Sequence, residues 1–422
     1  MLLPVLIAVT GSFCQRPPVR RHNHAALAVH DDESATFATW LRGEMSRAPN
    51  YVDFPEVYAD AEVAILRWRQ RYLSSSPRLW RSLMKADRML KELVEAAPVI
   101  AAVRAVVEDE GALGPGERFS IVDLCSGKGF LSMFLSETLD PQKVERCFLV
   151  DKQWPPLDWP HDQPILPHHI SDAHIYAERG AGEQTNYFKT WPIPLHTSKQ
   201  DLKKRATVTK LGERLVRRSS GPLLILGIHL CGTLSLRAID LFNANPKDAA
   251  LLVLKPCCLP GLVHAKRNET FTIGRHSFDA AEVCTHGRFA GRNSDWTGPP
   301  RAHLKPKFDK WTEHLCAGVE VGTQGAKAVH RSTVQIKGGF QNSFIIAERS
   351  RGHDVEEIEP ATDGAASAAR TGVGQYKIGT NSRKAELSRG LSHGLWQRVA
   401  AEEMRPTCYN SVPLTRSADA YS

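Results

Sequence analysis

The sequence predicts an α/β chain in which a mostly parallel sheet, covered by helices on both faces, follows a helical N-terminal extension. Three observations carry this. From Gly111 onward, apolar runs of strand length alternate with segments of helical periodicity, the pattern of parallel strands joined by crossover helices. A glycine-rich turn joins the first strand of that region to its first helix, and an acid ends the second strand. Residues 34–110, by contrast, carry helical patterns only.

In the extension, Leu79, Leu83, Leu90 and Val94 fall on one helical face, while Lys85, Arg88 and Lys91 fall largely elsewhere. Ser76-Pro77 marks a helix start, because serine accepts from free amides and proline suits the first helical position. Val99, Val103, Val106 and Val107 make a further apolar face that ends near Gly111. The run from Arg67 to Tyr72 interleaves cations with aromatics. It suits either nucleic-acid contact through phosphates and stacking, or an amphipathic helix with a solvated basic face.

In the α/β region, Gly114-Pro-Gly116 is a turn, and Phe119–Leu124 is the first strand. Gly129–Leu139 is a helix with Leu131, Phe134 and Leu135 inward. The second strand, Arg146–Val150, ends at Asp151. Pro192–Thr197 is the third strand, Leu223–Ile228 the fourth and Ala250–Leu254 the fifth. Lys305–Gly318 reads as a helix with Phe308, Trp311 and Leu315 on one face; Thr333–Ile336 and Asn342–Ala347 read as antiparallel sixth and seventh strands. In such sheets ligands sit beyond the carboxyl ends of the strands, so the residues there are the candidates.

After the first strand comes Asp123-Leu-Cys-Ser-Gly-Lys-Gly-Phe130. Gly127 and Gly129 let the backbone turn tightly and approach a ligand, and the helix start that follows favours anionic groups. Asp151 is placed to accept from both ribose hydroxyls of a nucleoside. Ser132 stands where the third glycine of a dinucleotide fingerprint would be, which disfavours NAD.

Asp123, Gly127 and Gly129 match the D-x-G-x-G-x-G loop of the class I S-adenosylmethionine-dependent methyltransferases, with Cys125 in place of the first glycine. The chain resembles that family over about residues 115–349. The fourth strand runs into His229-Leu-Cys-Gly232 and the fifth into Lys255-Pro-Cys-Cys258. This pair of blocks resembles the methyltransferase-domain family that includes the eukaryotic tRNA ribose 2'-O-methyltransferase acting on the acceptor stem. The zinc-finger segments preceding the domain in that tRNA enzyme are missing here.

The resemblance implies a Rossmann-like seven-stranded methyltransferase sheet of order 3-2-1-4-5-7-6 and S-adenosylmethionine as cofactor. It implies a cofactor site made of Asp123, Cys125, Ser126, Gly127, Lys128, Gly129, Phe130, Asp151, Lys152, Asp201 and His229, with Asp201 on the adenine amino group. The activity expected is methyl transfer to oxygen or nitrogen of RNA, with a tRNA-like substrate. His229 is the candidate general base, with ordering of its loop as the alternative.

Other functions stay open. RNA cytosine-5 methyltransferases use cysteines after the fourth and fifth strands, where Cys231 and Cys257 or Cys258 stand, but the acid and proline of their fourth-strand motif are missing. A noncatalytic cofactor-binding scaffold and a methyltransferase acting on proteins or small molecules fit the same core. Cys231, Cys257, Cys258, His264, Cys284 and His286 could converge on a metal, but no C-x-x-C pair is present. Buried structural cysteine is the alternative, and no metal is assigned.

Four segments are expected: residues 1–33 as a targeting or disordered N-terminus, 34–110 as the helical extension, 111–349 as the methyltransferase domain, and 350–422 as a disordered tail with one short helix around Lys384–Met404. The apolar start and the Arg-rich continuation from Arg16 to Arg21 resemble a bipartite plastid import sequence; otherwise the chain is placed in the cytoplasm. The net charge of +8 admits an anionic partner such as RNA, concentrated in the extension and in the basic stretch from Lys199 to Arg218. The odd count of nine cysteines disfavours a disulfide framework, and no apolar run reaches the length of about 18 residues that spans a membrane.

Overall fold

A computed structural model of the chain describes residues 24–85, 88–156, 165–177, 187–286, 288–290, 295–299, 301–321, 329–336 and 341–349. The expected import sequence and the expected tail, with its short helix, lie outside these residues, apart from residues 24–33. Four helices come first: α1 (His24–Ser46), α2 (Pro55–Ser75), α3 (Pro77–Met84) and α4 (Arg88–Glu108). The first thus begins before residue 34, where the helical extension is expected. Ser76 takes the N-cap of α3 through its carbonyl, which accepts from the Trp80 amide, rather than through its hydroxyl.

The sheet is built from β1 (Phe119–Leu124), β2 (Val144–Asp151), β3 (Leu195–Lys199), β4 (Leu223–Cys231), β5 (Ala249–Cys258) and two late strands, β10 (Val329–Thr333) and β11 (Ser343–Glu348). Its order is β3-β2-β1-β4-β5-β11-β10. Counted within the sheet, this is the 3-2-1-4-5-7-6 order of the Rossmann-like methyltransferase sheet. The first five strands are parallel. Only β11 runs against them, because β10 is antiparallel to β11 and therefore parallel to the rest; the expectation of two antiparallel strands is corrected to one.

Alternation along the strands divides the core in two. Leu224, Leu226 and Ile228 of β4 face the side covered by α1–α4 and by α5 (Phe130–Thr138). Leu223 and Ile225 face the side covered by α7 (Arg205–Arg218), α8 (Leu234–Asn243) and α11 (Lys305–Ala317). The helical extension therefore shares with α5 the cover of one face of the sheet. Trp68 and Tyr72 show why: both are fully buried, and Trp68 packs on Phe134 of α5 with ring centroids 4.8 Å apart. Arg67 and Arg71 pair with Glu137 of α5, and Arg71 lies 4.5 Å over Trp191. The aromatics of this run are core and cannot stack on bases, so the nucleic-acid alternative for Arg67–Tyr72 gives way to packing.

Several strands extend beyond their apolar runs. β3 starts at Leu195 and includes Lys199, which pairs with Asp151 of β2. β4 continues through His229 to Cys231, and β5 through Lys255 to Cys258. Between β2 and β3 the chain also forms the short helix α6 (Ala173–Tyr176). After β5 come α9 (Leu262–Lys266), the hairpin β6 (Thr270–Ile273) and β7 (His276–Asp279), the helix α10 (Ala280–Val283), and the hairpin β8 (Arg288–Ala290) and β9 (Asp295–Thr297).

Helix α4 carries a proline in its interior, Pro98, which cannot donate to the carbonyl of Val94. The side-chain amide of Asn50 donates to that carbonyl at 3.0 Å, and Asn50 Oδ1 accepts from the Tyr58 hydroxyl at 2.7 Å. Asn50 is fully buried, so its loss strands polar groups away from water. Asn50→Ala is expected to cost about 1–3 kcal/mol in urea unfolding. In a Pro98→Ala background, where the peptide amide returns to Val94, the same change should cost less; an equal cost in both backgrounds would show that the carbonyl is not what Asn50 serves.

Candidate active site

The site forms where β1, β2, β3, β4 and β5 end, under α4. The loop after β1 turns through three left-handed residues, Cys125 (φ 55°), Gly127 (φ 54°) and Gly129 (φ 79°). Cysteine at the first of these is strained, since a Cβ disfavours that region; strain of this kind is retained where surrounding contacts hold it. The contacts are present: the Ser126 amide bonds to the Val150 carbonyl, the Trp154 indole donates to Ser126 Oγ at 3.0 Å, and His174 bonds to the Lys128 carbonyl at 2.6 Å. Because a carbonyl only accepts, His174 Nε2 carries the proton, and burial pushes this imidazole down to about 4, so it is neutral. A Cβ at Gly129 would run into Leu149, whereas one at Gly127 would meet nothing within 4 Å. Gly127 borders open space.

One pocket gathers Asp123, Cys125, Ser126, Gly127, Lys128, Phe130 and His229, together with Leu131, Ile228 and Glu92. Gly129, Asp151, Lys152 and Asp201 do not line it; they stand beside it at the turn and the ends of β2 and β3. Asp151 is fixed by backbone: its Oδ2 accepts from the Gly127 amide at 3.2 Å and its Oδ1 from the Gln153 amide at 2.8 Å. Asp201 Oδ1 accepts from the Lys203 amide at 3.1 Å, and Lys152 is exposed. Burial, aided by Arg88, lowers Lys128.

Asp123 is buried and accepts from Ser132 Oγ at 2.8 Å. Burial raises its carboxyl to about 7, despite the Ser132 hydrogen bond; the charges of Asp151 and Glu92 act in the same direction as burial.

Two residues with no local signal in the sequence complete the site. Glu92 Oε2 lies 2.8 Å from His229 Nε2, and Glu95 Oε2 lies 2.8 Å from Lys255 Nζ and 3.9 Å from His229 Nδ1. Burial lowers the His229 imidazole, but the hydrogen bond to Glu92 and the charges of Glu92 and Glu95 outweigh it, and the net shift is upward. Burial raises Glu92, and its contact with His229 more than reverses this, so it stays ionised. A neutral His229 donates from Nε2 to Glu92, which leaves the lone pair on Nδ1.

Beyond His229, the thiols of Cys231, Cys257 and Cys258 converge, with the Cys231 and Cys257 sulfurs 3.0 Å apart. Contacts with Cys257 and Cys258 lower Cys231, and the contact with Cys231 raises the other two. Of the other candidate ligands, Cys284 is buried apart and His264 bonds to Glu269 at 2.7 Å; among the described residues neither they nor His286 join the three thiols.

No family model matches the chain, and no curated protein matches it. Among solved structures, the plantazolicin methyltransferase BpumL in complex with SAH is similar at 11% identity and a TM-score of 0.29, over 69% of this chain and 98% of that one. An O-methyltransferase family protein from Burkholderia thailandensis is similar at 12% identity and a TM-score of 0.23, over 68% and 72%. The CurJ carbon methyltransferase is similar at 12% identity and a TM-score of 0.29, over 76% and 71%.

Two measurements probe the electrostatics. The proton on Asp123 favours the folded state, so its contribution is full below the ordinary carboxylate value near 4 and is lost as pH rises through about 7. Asp123→Asn is expected to flatten the fall in unfolding free energy across that window. In Glu92→Gln, the His229 imidazole, followed by proton NMR, is expected to titrate lower than in the parent, because burial then acts with less opposition.

Proposed function

We propose that the protein is an S-adenosylmethionine-dependent methyltransferase acting on RNA, with an oxygen of a tRNA-like molecule as the favoured acceptor. The observation that carries the cofactor assignment is the loop after β1. It combines left-handed turns, an open face at Gly127, and the Asp151 carboxylate held at the end of the adjacent strand by the Gly127 and Gln153 amides. A carboxylate so oriented keeps lone pairs for two vicinal hydroxyls. The residues fit the cofactor: Asp151 would hold the ribose, Asp201 the adenine amino group, and the pocket lined by Gly127, Lys128 and Phe130 the remainder. When bound, the sulfonium supplies an electrophilic methyl group.

The chain's own residues then have two tasks, alignment and proton removal. His229 lines the same pocket, and Glu92 holds its ring through Nε2, which leaves Nδ1 without a hydrogen bond, 3.9 Å from Glu95. A histidine base suits an acceptor whose proton must leave, such as a hydroxyl or an N–H; the resemblance favours the hydroxyl. Because the neighbouring acids shift His229 upward, a cation in the pocket would help keep it neutral and able to accept a proton.

The RNA assignment draws on the resemblance of the His229–Gly232 and Lys255–Cys258 blocks and on α7. Lys203, Lys204, Arg205, Lys210, Arg217 and Arg218 are exposed, and the first three stand where β3 ends, at the ligand edge of the sheet. Arg214 differs: it is half-buried and donates to Ser198 Oγ at 2.9 Å.

Calorimetry is expected to show S-adenosylmethionine binding that Asp151→Ala abolishes. Radiolabelled methyl transfer to fractionated RNA, protein and metabolites should label RNA and be lost after nuclease. His229→Ala should slow transfer by about 10²–10⁴-fold with the cofactor still bound. RNA affinity should fall steeply with salt. Absence of cofactor binding to folded protein would end the proposal; binding without transfer would point to a scaffold, and nuclease-resistant label to a protein or small-molecule acceptor.

A further inference from the structure

The ends of β4 and β5 place three cysteines together by an irregularity of the sheet. In a regular strand, the neighbours Cys257 and Cys258 would point to opposite faces. The β4–β5 ladder shifts register between Gly227 and Leu230 and again between Leu230 and Cys231, and Cys231 then pairs with Cys258. The shifts break the alternation, and the sulfurs of Cys231, Cys257 and Cys258 come within 4.8 Å of one another.

We propose that Cys231, Cys257 and Cys258 form a three-thiolate site for a zinc ion. With Zn–S bonds of about 2.3 Å, sulfurs on one zinc stand about 4 Å apart. The cluster needs only a small widening of the Cys231–Cys257 pair, from 3.0 Å, to reach that spacing. Three soft sulfur donors select a thiophilic ion over calcium or magnesium. The surroundings hold the ligands in place: the Gly232 amide donates to the Cys258 carbonyl, and Gln341 Nε2 donates to the Cys257 carbonyl at 2.6 Å. Cys231 is exposed and the other two are half-buried, so the fourth position falls to water, as in zinc sites that keep an exchangeable ligand. One residue, Leu230, separates Cys231 from His229 on β4, so the ion would stand at the rim of the pocket.

The site does not depend on the methyltransferase proposal, and its test does not use activity. The full-length protein, kept reduced and reconstituted with zinc, is passed through a desalting column and its metal is counted by mass spectrometry. One zinc per chain is expected. Cys231→Ser and Cys258→Ser should lose it, whereas Cys284→Ser, a buried cysteine outside the cluster, should keep it. Because a cysteine variant can fail to fold, cobalt is substituted for zinc in the parent protein. A thiolate-to-cobalt charge-transfer band with the intensity of three sulfurs, and visible bands of a four-coordinate ion, support the site. Folded protein that retains no zinc, a cobalt spectrum without thiolate bands, or peptide mapping that finds Cys231 and Cys257 joined as a disulfide in the protein as isolated would each overturn it.

Discussion

A lysine ammonium buried in a parallel sheet must have its counter-charge brought to it, because the cost of an unpaired buried charge exceeds what packing can offset. Lys255 is such a group: its side chain is 3% exposed, and Glu95 meets it at 2.8 Å. The partner does not come from the sheet. It comes from α4, so the helix must lie across the ends of β4 and β5 for the fold to exist with Lys255 charged. Once α4 is there, Glu92, one turn earlier on the same face, reaches His229. The same placement explains the proline within the helix. Pro98 frees the Val94 carbonyl, Asn50 takes it, and the segment between α1 and α2 is fastened to the helix that covers the site.

The other side of the pocket depends on a different constraint, the left-handed turn after β1. It is held from below by Trp154 and His174, and His174 is in turn fixed by the helical extension, since its carbonyl accepts from the Tyr72 hydroxyl at 2.8 Å. The extension thus reaches both walls of the pocket, through α4 to His229 and Lys255 and through α2 to the glycine loop. This is why residues that carry no chemistry of their own, such as Trp68 and Tyr72, are buried as deeply as the strands.

The sequence made legible what is local. The strand–turn–helix of residues 119–138 and the acid after β2 follow from apolar periodicity and glycines; the order of the sheet follows from the family resemblance. The partners of His229 and Lys255 did not, because they are 137 and 160 residues away in the chain, and an acid on an otherwise apolar helix face does not say which base it will meet. Polarity hides the strand ends: His229 and Lys255 stop an apolar run, yet the ladder continues past both, since each has its counter-charge in α4. The cysteines at strand ends were visible as residue types, but their convergence needed the register shifts of the β4–β5 ladder, which leave no mark on composition. The aromatics between arginines in α2 could be read two ways until the burial of Trp68 and Tyr72 decided for packing.

The buried carboxyl of Asp123 favours a cationic ligand in the pocket. Glu92, Glu95, Asp123 and Asp151 stand on one side of the count, and Lys128, Lys255 and His229 on the other. Glu95 and Lys255 cancel, and Glu92 is engaged by His229. What is left is Lys128 on one side and, on the other, Asp151, bound only to neutral amides, and Asp123, raised to about 7 because burial and the neighbouring acids oppose its ionisation. A positive group entering the pocket relieves that opposition, so it favours release of the proton from Asp123 and disfavours protonation of His229. The arrangement that makes Asp123 costly to ionise in the free protein therefore favours a cation over a neutral molecule of the same shape. The same cation shifts His229 toward the form that can accept a proton.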